Sequence, residues 1–103
     1  QVGDLAAINR VALGTQTVSV WKNAKDLGKV AAEAANALAD GADMKSIAGV
    51  AMFNGGKNKV EMSSILLAPT PITKANINVA IDAGHITKDQ ACAGVAAGAV
   101  PGC

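Results

Sequence analysis

Residues 17–41, TVSVWKNAKDLGKVAAEAANALADG, decide how the rest of the chain is read. Thr17-Val18-Ser19-Val20-Trp21 alternates with period two and is rich in β-branched residues, which predicts a strand over 17–21 with Val18 and Val20 sharing one face. Directly afterwards the period lengthens to that of a helix. From Ala24 to Ala39, Leu27, Val30, Ala31, Ala34 and Leu38 fall on one stripe, Lys25, Lys29, Glu33 and Asn36 fall on other faces, and Asp40-Gly41 is a stop. An alanine-rich helix can lie close to a sheet, so the pair predicts a layered α/β fold with this helix as a cover.

Working outward, Asp4 can cap a first helix over 4–13, with Leu5, Ile8, Val11 and Ala12 at helical spacing and Gly14 placed to end it. Downstream of Gly41 the pattern breaks up. A short apolar stretch at Val50-Ala51-Met52-Phe53 leads into Asn54-Gly55-Gly56-Lys57-Asn58, a turn cluster that fits a hairpin or a surface loop. Val60–Leu67 predicts a second strand, and Pro69 and Pro71 an extended exit from it. Thr73 can cap a helix over Lys74–Ala83, stopped by Gly84. Thr87-Lys88-Asp89-Gln90 is a capping-box pattern opening a short last helix. The stretch from Val95 to Cys103 is too rich in Gly and Ala to assign, and no internal repeat is visible.

Composition narrows the function classes. A chain of 103 residues holds one modest core, half of it is apolar, and Trp21 and Phe53 are its only aromatics. Net charge is +1 and the lysines are spread from Lys22 to Lys88. No footprint for a phosphate backbone results, so nucleic acid is not an expected partner. Every apolar run is interrupted well short of the roughly 20 residues that span a bilayer. The sequence starts at Gln1 without a charged-then-apolar leader, which reads as a processed chain or a fragment. Cys92 and Cys103 lie close together: a disulfide there would close a short loop, contribute roughly 3 kcal/mol and imply an oxidising compartment. The alternative is a buried free Cys92 with an incidental Cys103.

No catalytic or cofactor-binding constellation is found. Gly55-Gly56-Lys57 lacks the earlier glycine and the following Ser or Thr of a phosphate loop, so it reads as a turn. His85, the single histidine, has no ligand partner at metal spacing and cannot build a triad with the scattered serines. Trp21-Lys22 carries more information, because it falls where the clearest strand ends and a helix begins, and ligands of open α/β sheets bind beyond the carboxyl ends of strands. There an ammonium could donate to sugar hydroxyls and an indole could lie on a sugar ring. Set against this, a lysine after a strand is ordinarily a solvated end and a tryptophan ordinarily core.

Taken in order, DLAAINRVALGTQTVSVWKNAKDLGKVAAEAANALADG, an Asn-Gly-Gly turn and SSILLAPTPITKANINVAIDAGHITKDQACAGV resemble the last third of the periplasmic sugar-binding proteins of ABC importers, most of all the D-xylose binders. The likeness is a linear pattern covering nearly the whole chain. It implies an α/β fold: the C-terminal portion of a two-lobed, Rossmann-like binding protein, with residues 1–103 contributing to both lobes and the hinge and incomplete as a binding domain. It further implies a xylose-like monosaccharide in the interlobe cleft and delivery to a membrane permease. The setting would be periplasmic or extracellular, with lipoprotein anchoring as one way of staying there.

By the same resemblance Lys22 closes a hinge strand and reaches the sugar, and Trp21 stands at the hinge where relatives carry another aromatic. Relatives have Gly-Gln-Asp before the first helix, the Asp accepting sugar hydroxyls; aligned on Leu5-Ala6-Ala7-Ile8, Val2 takes that place here, and Asp4 could substitute. The missing N-terminal part of the protein is then the expected partner. The alternative is a small self-associating module that has lost sugar binding. In either case the isolated segment is expected to exchange strands or to form a homo-oligomer burying the faces of Val18, Val20, Ile65 and Leu67, unless the missing lobes are present.

Overall fold

The computed structural model describes residues 3–103. They form a mixed α/β chain of two units: one runs up to Asn23 and resumes at Pro69, and the other is Ala24–Ala68.

In the first unit Asp4 has extended backbone and accepts the Ala7 N–H at 2.7 Å, starting α1 (Leu5–Leu13) as its spacing predicts. Gly14 ends it in the left-handed region, φ 89°, with Gly14 N–H donating to Val11 and Thr15 N–H to Arg10. Such a closure satisfies the last carbonyls and requires a residue without Cβ strain. The buried face of α1 is Ala7, Ile8, Val11 and Ala12.

β1 (Ser19–Trp21) pairs antiparallel with β4 (Thr70–Ile72), Ser19 opposite Ile72 and Trp21 opposite Thr70. The strand expected over 17–21 is confined to Ser19–Trp21, with Ser19 and Trp21 on its buried side and Val18 outside the ladder at 41% exposure. Alternation defines two faces, but which one is covered depends on the neighbours, and here Trp21 and Ile72 join one core with Ile8, Val11 and Ile77. The extended exit expected at Pro69 and Pro71 is itself a strand, β4 at Thr70–Ile72. Its proline fits because the Pro71 carbonyl accepts from Asn76 Nδ2 at 3.0 Å, so that residue's backbone polar edge points away from β1 and its missing N–H costs the ladder nothing.

The helix expected over 74–83 divides into a 3₁₀ turn at Lys74–Asn76 and α3 (Ile77–Asp82). Asn76 turns its side chain back to accept from Thr73 N–H at 2.7 Å, holding its own backbone off helical geometry at φ −141°. At the far end Gly84 N–H donates to Ile81 and His85 N–H to Ala80, the same closure as on α1. Thr87 and Gln90 exchange the reciprocal bonds of a capping box and open α4 (Lys88–Ala91). Asn9 of α1 donates to the carbonyls of Ala91 and Ala93, which ties α4 to the first helix.

Cys92, at the end of α4, is bonded to Cys103 with Cα atoms 5.5 Å apart. The bridge draws the last residues onto α3, where Val100 is buried and Gly102 packs tightly, a Cβ there coming to 3.3 Å from Asn78 and Ile81. Reducing it is expected to lower the stability of this unit by about 3 kcal/mol, the loop-closure value for a loop this short. Guanidinium titrations of oxidised and reduced protein measure the difference; coincident midpoints would show that the C-terminal segment is held by packing alone.

The second unit is built differently. α2 (Ala24–Ala39) ends at Gly41, φ 84°, where the expected stop falls. β2 (Ala51–Phe53) and β3 (Met62–Ser64) make a hairpin, Ala51 opposite Ser64 and Phe53 opposite Met62. The strand expected over 60–67 is thus confined to its middle, because three residues of β2 are all it has to pair with. Nothing from Ala24 to Ala68 is buried. The stripe of α2 does not cover a sheet: Leu27, Val30, Ala31, Ala34 and Leu38 line one wall of an open groove of about 340 Å³, with Met44, Ile47, Val50, Ile65 and Leu67 opposite.

Candidate functional site

Lys22 follows the last residue of β1 and its side chain is exposed. One residue later the chain leaves the first unit, and it returns at Pro69, just before β4. Because Trp21 pairs with Thr70, both crossings leave the same end of the β1/β4 ladder, and Lys22 stands at that end. A strand end carrying an exposed ammonium can donate up to three hydrogen bonds to hydroxyls.

Trp21 is 4% exposed and belongs to the core. Its indole lies 5.1 Å, centroid to centroid, from the imidazole of His85, tilted by 33°. On the same indole sits Gly3, with φ 57°; a Cβ there would come within 2.7 Å of the Trp21 side chain. Trp21 Nε1 and its neighbour on the buried face, Ser19 Oγ, have no hydrogen-bond partner among the described residues.

Asp4 is exposed, and its Oδ1 is engaged by the Ala7 N–H, leaving Oδ2 for any other donor. Gly3 touches Trp21, so Asp4 and Lys22 are each one residue from a shared contact. Val2, the residue set against the relatives' Asp, lies outside the described residues. His85 adds what sequence reasoning passed over: its Nε2 is 2.7 Å from the Gly3 carbonyl, across 82 positions of sequence. No local pattern announces that bond.

Among the described residues no three of His, Cys, Asp and Glu converge as a metal site, and no helix is long and apolar enough to cross a membrane.

Over most of its length the chain is similar to a fragment of two periplasmic binding proteins. It is 42% identical over 77 residues to the D-xylose-binding periplasmic protein of Escherichia coli and 40% identical over 91 residues to that of Haemophilus influenzae. These alignments take in 75% and 87% of this chain but 22% and 26% of the relatives, so the chain spans about a quarter of their length. Both relatives are named as binding proteins, not enzymes. No family model matches the chain, and no solved structure does.

Proposed function

We propose that the chain is the C-terminal part of the substrate-binding component of an ABC sugar importer, a non-enzymatic protein that works in the periplasm or outside the cell. The observation that carries this reading is the similarity at 40–42% identity to two D-xylose-binding periplasmic proteins. The architecture supports it. A chain that leaves the first unit just after β1 and returns to it just before β4 fits a hinge between two Rossmann-like lobes, with residues 1–103 contributing to both. The ligand is a xylose-like monosaccharide in the interlobe cleft, handed on to a membrane permease. Lys22 donates to sugar hydroxyls from the hinge, Asp4 supplies an acceptor through Oδ2, and Trp21 supports the hinge strand from within.

Calorimetry with D-xylose on the full-length protein tests the reading. Lys22→Met is expected to weaken binding by about 1.5–3 kcal/mol, the value of a hydrogen bond from a charged donor. Unchanged affinity in a folded variant would remove Lys22 from the site.

The second reading, a self-associating module without sugar binding, draws on the open apolar groove of residues 24–68 and the unpaired outer edges of the β2/β3 hairpin. Light scattering together with the calorimetry separates the two: a discrete homo-oligomer of the 103-residue chain, with no D-xylose bound by the full-length protein, would favour the module.

A further inference from the structure

We infer that His85 is a positioning residue for the sugar site, holding the segment at Gly3-Asp4 against the end of the hinge strand. The inference rests on the proposed function for its ligand, and on this structure for its geometry.

Three segments far apart in sequence meet at Trp21. Gly3 rests on the indole with no space for a Cβ, which fixes where the chain passes before α1. The imidazole of His85 leans on the same indole. His85 also reaches the Gly3 carbonyl at 2.7 Å, and because a carbonyl only accepts, Nε2 is the nitrogen that carries the proton. The ring is aimed by the backbone: the closure of α3 at Gly84, φ 68°, bonds His85 N–H to Ala80, and Ile86 is buried directly after it.

The consequence falls on the neighbours. Gly3 precedes Asp4, whose carboxylate caps α1, and Trp21 precedes Lys22. With His85 bound to Gly3, the acceptor at Asp4 and the donor at Lys22 are held in one arrangement. Without that bond Asp4 stays capped on α1, but the Gly3 backbone leading into it loses its tie to the end of α3 and keeps its contact with the indole. A site whose donors and acceptors are fixed beforehand loses less freedom when a ligand arrives, so the bond acts on affinity without touching the sugar.

The test uses the full-length protein with D-xylose as the probe, and two variants. His85→Phe keeps an aromatic ring on Trp21 but has no donor; His85→Gln keeps a donor of similar reach. The expected result is about a fivefold loss of D-xylose affinity for His85→Phe and less than about twofold for His85→Gln, the range of one neutral hydrogen bond, with thermal midpoints close to wild type. Hydrogen exchange over residues 3–7 is read in the same samples. Exchange should rise in His85→Phe and stay near wild type in His85→Gln.

Equal affinities across wild type and both variants would overturn the inference while leaving the sugar-binding reading intact. If the wild-type protein binds no D-xylose, that reading fails, and exchange alone decides the role of His85. Unchanged exchange in His85→Phe then overturns it, and a rise reversed by His85→Gln supports it.

Discussion

Replacing Trp21 with alanine is expected to cost the first unit about 3–5 kcal/mol, the range for truncating a buried large aromatic. Trp21 is 4% exposed and in one cluster with Ile8, Val11, Ile72 and Ile77, and it carries Gly3 and His85 on its ring, so no single neighbour can close the space it leaves. Trp21→Phe should cost much less, since it keeps most of the apolar contact and removes an indole N–H that has no partner among the described residues. Denaturant titration measures both. A loss below about 1 kcal/mol for Trp21→Ala would show that the indole is not the keystone of this core. The pair of variants also probes the site: a Trp21→Phe protein that folds and still binds D-xylose fits an indole supporting the hinge, whereas lost binding in a folded protein would place the indole on the sugar.

Ala34→Asp is expected to behave in opposite ways in two settings. In the 103-residue chain, Ala34 lines an open groove in a unit with no buried residue, so the substitution costs no more than the helix propensity difference, about 0.6 kcal/mol. On the proposed function, further polypeptide packs into this groove in the full-length protein. An aspartate there would be buried without a partner and cost about 3 kcal/mol or more. Thermal melts of both proteins decide it, and a small effect in both would show that nothing covers this face. A hydrophobic dye gives the companion measurement: bright with the isolated chain, dark with the full-length protein.

Each of the helix boundaries that came true rests on chemistry within a few residues. Asp4 and Thr87 open helices by accepting nearby N–H groups, and Gly14, Gly41 and Gly84 close them because left-handed backbone favours a residue without Cβ. Where the reading failed, a distant partner decided. Pro71 sits in a strand because β1 lies on one side of it and Asn76 on the other, and the span over 60–67 shrank to Met62–Ser64 because its partner strand is short. The apolar stripe of α2 was correctly located, yet its burial was not, since a stripe states which face needs a cover and not whether one is present.

The candidate site divides along the same line. Lys22 was legible as a lysine after a strand, and its resemblance to a sugar-binding position was legible from the linear order of motifs. Its place beside both chain crossings became visible only in the pairing of β1 with β4. By itself the sequence determined α1, α2 and α4 with their stops and caps, the core of the clearest strand and the family likeness, because these depend on side chains acting on their own backbone or on order along the chain. Tertiary structure alone decided that Trp21 and not Val18 faces the core, that Cys92 is joined to Cys103, and that His85 holds Gly3. Those outcomes depend on which groups separated in sequence come within a few ångströms of one another, and neither a local pattern nor a period carries that distance.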